Sequence, residues 1–135
     1  MGYHSEKDHP RKVPMITIVL FHHAAGLTDG VRSLADRLAQ AGHLVTTPDL
    51  YNGHRFTTIE EGMAFYRELT HEQVLARAQA AVAALTGPFV VAGVSLGAMV
   101  AQTLAQTDAR VQGLLALIKG MIVQKRSSCV PVRRK

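Results

Sequence analysis

The sequence of 135 residues contains no tryptophan, a single cysteine and only 5% aromatic residues. One cysteine, Cys129, excludes an internal disulfide, so packing and hydrogen bonding must hold the fold. No apolar run approaches the roughly 20 residues that a membrane-spanning helix needs, which excludes a membrane partner of that kind. Low-complexity tracts are absent too, and an apolar fraction of 47% suits one globular domain. The first twelve residues are polar and mixed in charge, unlike a secretory signal or a transit peptide. Glu6 also stands where a myristoylation pattern requires Ser or Thr. A cytoplasmic protein is expected. Two further absences matter for chemistry: no histidine follows His71, and no acidic side chain follows Asp108.

The formal charge of +5 is unevenly spread. Lys119, Lys125, Arg126, Arg133, Arg134 and Lys135 supply six positive charges after residue 118, leaving nine basic residues against ten acidic ones before it. The body of the chain is therefore nearly neutral. A basic tail can attract phosphates, but this one has neither interleaved aromatics nor a recognition motif, so no nucleic-acid partner is expected.

Among the features present, Gly93-Val94-Ser95-Leu96-Gly97 directly after the apolar run Phe89–Ala92 is the most informative. A G-x-S-x-G pentapeptide between a buried strand and a helix has the form of the nucleophile elbow of an α/β-hydrolase. The serine must sit on a tight turn, so the residues two places away on each side, Gly93 and Gly97, must be small. The turn lifts the hydroxyl clear of the sheet and aims the Leu96 N–H at a developing oxyanion. The plainer alternative is a glycine-rich strand-to-helix turn that happens to hold a serine.

The rest of the chain supplies a suitable frame. Met15–Phe21 is a continuous, β-branched-rich run, as expected of a strand buried on both faces of a parallel sheet. A helix is expected from about Thr28, with Val31, Leu34, Ala35, Leu38 and Ala41 at helical spacing and Gly42 as its stop. His43–Thr47 predicts a short second strand ended by Pro48. Thr58 with Glu61, and Thr70 with Gln73, are two capping-box signatures that mark two helices, or one bent helix, over about 59–86. Phe89–Ala92 then leads into the elbow, Leu96–Gln106 predicts a helix, and Val111–Ile118 a fourth strand. This alternation predicts an α/β fold: a partial parallel sheet of about four strands flanked by helices, with an irregular basic C-terminal tail. The expected division is a polar segment at 1–14, an incomplete hydrolase-like domain at 15–118 and the tail at 119–135. Ligands bind such sheets at the carboxyl ends of the strands, where both Ser95 and the His22–Leu27 loop fall.

An acyl-transfer serine needs an oxyanion hole, a base and a group that orients the base. Leu96 offers one N–H at a helix N-terminus. A second is expected from the small-residue loop His22-His23-Ala24-Ala25-Gly26, with Ala24 as the donor and His23 as the fallback. The acid and base that normally follow the serine are not found. His22 or His23 could stand in as base, although a loop histidine bonded to nearby backbone is the commoner arrangement. Asp49 could orient a histidine, or could satisfy N–H groups in its own turn. Asp108 reads as an ordinary solvated residue at the far end of the elbow helix. His43 and His54 have no partners at metal-ligand spacing, so no metal is expected.

Leu20–Thr28, Thr47-Pro48-Asp49-Leu50-Tyr51-Asn52-Gly53 and Ala92–Ala98 together resemble the dienelactone hydrolase family, from about Met15 to Leu117. The resemblance implies action on small-molecule esters or lactones through a covalent acyl-enzyme, without a metal or organic cofactor. Three departures stand out. Characterised members carry cysteine in the elbow where this chain has Ser95, which favours a general esterase. A glutamate that contacts the resting nucleophile there is replaced here by His23. Members also continue through further strands and helices that bring the triad acid and histidine, whereas the residues after Ile118 read as a truncation or a change of reading frame.

A serine hydrolase with impaired activity is therefore the first expectation. The alternative is a non-catalytic, unstable or partner-dependent fragment whose strand at 111–118 is an uncovered edge open to self-association. A nucleotide-binding unit fits less well, because Gly93-x-Ser95-x-Gly97 departs from G-x-G-x-x-G and no acid follows about 20 residues on.

Overall fold

The computed structural model describes residues 15–118 and 121–126. Four parallel strands form the body of one sheet: β1 (Thr17–Phe21), β2 (Leu44–Thr46), β3 (Phe89–Val94) and β4 (Val111–Ile118). Four helices flank them: α1 (Asp29–Gln40), α2 (Ile59–Leu69), α3 (His71–Ala83) and α4 (Leu96–Thr107). A last strand, β5 (Met121–Arg126), gives the spatial order β2-β1-β3-β4-β5.

Alternation along the strands divides the core between the two faces of the sheet. Val19, Phe21, Phe89, Val91 and Leu114 pack with Val74, Ala78 and Val82 of α3 and Val100, Ala101 and Leu104 of α4. Ile18, Leu20 and Ala92 face the other way, onto Leu27 and Val31, with Leu34, Ala35 and Leu38 of α1 behind them. This two-sided burial explains why β1 reads as an unbroken apolar run.

Both capping signatures form. The Thr58 hydroxyl accepts from the Glu61 N–H at 3.1 Å, and the Thr70 hydroxyl accepts from the Gln73 N–H at 3.3 Å. The stretch is two helices, because Thr70 takes φ 82° and turns the chain between them. None of the helices among the described residues is long and apolar enough to cross a membrane.

The C-terminal region departs from expectation. Residues 121–126 are not irregular: β5 runs antiparallel to β4, from the pair Ile118↔Met121 to Gly113↔Arg126. Strand 111–118 is therefore an interior strand and not the uncovered edge expected of it. The physical reason is local. Met121-Ile122-Val123 is a short strand-forming run, and it follows β4 closely enough to fold back on it. The sheet consequently extends beyond the boundary expected at residue 118. The expected segment at 1–14 and the tail at 119, 120 and 127–135 lie outside the described residues.

Candidate active site

Phe21 at the end of β1 pairs with Gly93 near the end of β3. The loop His22–Gly26 and the serine two residues after Gly93 therefore leave the same carboxyl rim from neighbouring strands. Ser95 is exposed and has φ 55° and ψ −110°. That is a left-handed conformation which an L-residue other than glycine adopts only at a cost of about 1–3 kcal/mol. The turn is pinned on both sides: the Ser95 N–H donates to the Leu117 carbonyl on β4, and the Ser95 carbonyl accepts from the Ala98 N–H, both at 2.8 Å.

The two glycines explain how so tight a turn fits. A Cβ on Gly93 would overlap the Gly97 carbonyl, and a Cβ on Gly97 would overlap the carbonyls of Phe21 and His22. Strand and helix thus approach backbone to backbone, and α4 begins directly against the end of β1. Leu96 is the first residue of α4, so its N–H is among those with no intrahelical acceptor. Ala24 is buried in the neighbouring loop, and its N–H has no acceptor among the described residues.

The histidines are placed less simply. His22 is 1% exposed, fully buried despite its polar ring. Its Nδ1–H donates to the His23 carbonyl at 2.8 Å, and its Nε2 accepts the Leu50 N–H at 3.0 Å. Both ring nitrogens are thereby satisfied in the neutral form. Burial lowers its pKa below the ordinary 6.5, against the opposing pull of the His23 carbonyl and of Asp49. His23 accepts the Ala25 N–H on Nδ1 at 3.1 Å and lies 3.4 Å from the Thr28 hydroxyl through Nε2. Its pKa is lowered as well, chiefly by burial.

The remaining histidines are occupied elsewhere. His43 Nδ1 accepts the Ile16 N–H, His54 Nδ1 donates to the Tyr51 carbonyl, and His71 Nδ1 lies 2.6 Å from the Tyr66 hydroxyl. No described histidine is hydrogen-bonded to Ser95. Among the described residues no group of three or more His, Cys, Asp or Glu could hold a metal ion.

The carboxylates are also committed. Asp49 accepts from the Tyr51 and Gly53 N–H groups at 3.0 and 2.9 Å, the turn-satisfying role. Asp108 is not the freely solvated residue expected. Arg110 grips it through Nε and Nη2 at 3.0 and 2.7 Å, holding its carboxyl below the ordinary 3.8. It stands at the far end of α4, a 12-residue helix whose rise of 1.5 Å per residue puts it ~18 Å from Ser95.

Sequence reasoning missed two features near this rim. One is the bracing role of His22, whose partner Leu50 lies 28 residues away. The other is Tyr51, which sits edge-on to His22 and Phe65 with ring centroids 4.9 Å away in each case. Its hydroxyl is buried without a partner among the described residues, and burial pushes its pKa up to about 12. The aromatic residues Tyr51, Phe56 and Phe65 are visible in the sequence, but their convergence is a tertiary event with no local signal.

The architecture has counterparts among solved structures. A dienelactone hydrolase-like promiscuous phosphotriesterase from metagenomic libraries matches with a TM-score of 0.64 and 25% identity, over 82% of this chain and 50% of that one. The structure named m3DLH matches with a TM-score of 0.62 and 21% identity, over 79% of this chain and 49% of that one. The chain thus spans about half the length of the structures it matches. No curated protein matches it. A sequence match to the dienelactone hydrolase family covers residues 1–119, which takes in the elbow, the loop after β1 and all four parallel strands but not β5. On that match the chain belongs to the dienelactone hydrolase family.

Proposed function

We propose that Ser95 is the nucleophile of a hydrolase site for small carboxylic esters or lactones, with the Leu96 and Ala24 N–H groups as its oxyanion donors. The single observation that carries this reading is the left-handed backbone of Ser95, an exposed serine held in strain by Gly93, Gly97 and the Leu117 carbonyl. Strain of this kind persists where the surroundings over-determine it, and it clusters at working sites. In the proposed reaction the Ser95 Oγ attacks the substrate carbonyl and its proton passes to solvent water, which returns a proton to the departing alkoxide. The carbonyl oxygen becomes an oxyanion facing the two N–H groups. Collapse expels the alcohol and leaves an acyl-serine, which water then hydrolyses. No step calls for a metal or an organic cofactor.

The base is where this reading predicts impairment. His23 is the candidate in the loop, and both its nitrogens are engaged within that loop. An oxyanion hole and binding alone still leave about 10³–10⁴-fold acceleration over water in a triad enzyme stripped of its acid and base. The expected behaviour is slow acylation. A fluorophosphonate probe checks it: labelling of the folded chain that disappears in Ser95→Ala supports an activated hydroxyl. A folded chain that stays unlabelled favours the second reading, a non-catalytic or partner-dependent unit, which the absence of a histidine bonded to Ser95 among the described residues makes worth testing. A phosphotriester is a sensible second substrate, because one similar solved structure is named for that activity.

A further inference from the structure

We infer that His22 is a positioning residue for the proposed oxyanion hole: its imidazole sets the plane of the His23–Ala24 peptide and so aims the Ala24 N–H. The inference rests on the hydrolase reading of Ser95 and adds a residue to it. The geometry is a matter of one peptide unit. The His23 carbonyl and the Ala24 N–H are opposite ends of the same planar, trans amide, so fixing one fixes the direction of the other. That carbonyl accepts two hydrogen bonds, from the His22 Nδ1–H at 2.8 Å and from the Gly26 N–H at 3.0 Å. The Ala24 N–H at the other end of that amide has no acceptor among the described residues.

The brace is itself anchored. His22 Nε2 takes the Leu50 N–H at 3.0 Å, which ties the loop after β1 to the loop after β2. Because that N–H points at Nε2, the ring proton must lie on Nδ1, where it is needed. Asp49 Oδ1, 3.9 Å from Nε2, is already held by the Tyr51 N–H and offers the ring no competing acceptor site at hydrogen-bond distance. On the other side of Ala24, α2 presses close through Gly62, where a Cβ would overlap the Ala24 carbonyl. Donation to the carbonyl also polarises the amide, which strengthens its N–H as a donor.

Two substitutions separate bracing from packing. In His22→Asn the side-chain amide nitrogen occupies the position of Nδ1, keeping the donor to the His23 carbonyl and losing the tie to Leu50. In His22→Gln the terminal group reaches the position of Nε2, keeping the tie and losing the donor. Fluorophosphonate labelling of Ser95 is expected to slow about 10-fold or more in His22→Gln and by less than about threefold in His22→Asn, a share of the 10²–10³ lost when an oxyanion donor is removed outright. With a nitrophenyl ester the loss should appear in kcat and not in KM. Crystal structures should show the His23–Ala24 peptide rotated in the Gln variant alone. Equal labelling in both variants, with the peptide unmoved, overturns the inference.

A wild-type chain that never labels would instead sink the hydrolase reading, and the orientation of the peptide in the two variants would still decide the brace. Should His22→Gln fail to fold, nitrogen NMR of the wild type keeps the question open to refutation. The brace requires the proton of His22 on Nδ1, and finding it on Nε2 would overturn it.

Discussion

The two rims of this sheet are built on opposite principles. At the amino rim, Arg110 at the entry to β4 closes a densely bonded clasp. Its guanidinium holds both oxygens of Asp108, donates to the Leu85 carbonyl at 2.6 Å and the Val82 carbonyl at 3.3 Å, and lies over the Phe89 ring at 5.0 Å. One residue thereby gathers the end of α3, the end of α4 and the start of β3. At the carboxyl rim the backbone is strained at Ser95 and an imidazole is buried at His22, and among the described residues the buried Tyr51 hydroxyl has no partner and the Ala24 N–H no acceptor. Strain and unmet polar groups gather on the side where a substrate would arrive, and dense bonding on the side where none is needed. Departures from local consistency are expected at working sites.

Breaking the elbow should have the largest effect. Gly97→Ala would push a methyl group into the Phe21 and His22 carbonyls. Because backbone cannot yield as a side chain can, about 3 kcal/mol or more of stability should be lost, read by denaturant unfolding; a near-neutral result would mean that α4 does not rest on β1. Next is the opposite rim. Arg110→Ala leaves the Asp108 carboxylate and two helix-end carbonyls short of their donor, and the melting temperature should fall by several degrees. Labelling at Ser95 should persist below the new melting point, since the clasp lies at the other end of α4.

Ser95→Gly sharpens the contrast in the other direction. Relief of about 1–3 kcal/mol of backbone strain, less roughly 1 kcal/mol for the added freedom of the unfolded chain, should leave a gain of about 1 kcal/mol while abolishing labelling. A variant that is less stable would show that the elbow is not strained. The gentlest handle is pH. His22 and His23 both have pKa values lowered below 6.5, so the unfolded chain binds more protons than the folded one in mild acid. Stability should be full above pH 6.5 and should decline as the pH falls toward the lowered values. A melting curve series would show this decline, and His22→Asn should flatten it.

Much of the carboxyl rim was legible because its signals are local. Gly93, Ser95 and Gly97 lie within five residues, and their spacing follows from one turn. Thr58 with Glu61 and Thr70 with Gln73 declare their helices within four residues each. What could not be read depends on distant partners. His22 looks like any loop histidine until Leu50 is brought to it, and Asp108 looks solvated until Arg110 folds back over it. β5 is a different case. The basic residues and the lack of helical period in 119–135 outweighed Met121-Ile122-Val123, a run short enough to pass for tail yet sufficient to pair with a strand beside it.

That returning strand has a consequence for how copies of the chain meet one another. By covering β4, it becomes one margin of the sheet, while the other margin is only the three residues of β2. Brevity is one way in which proteins discourage intermolecular zippering. With β3 on one side and the returning β5 on the other, β4 has no free backbone edge to offer a second copy.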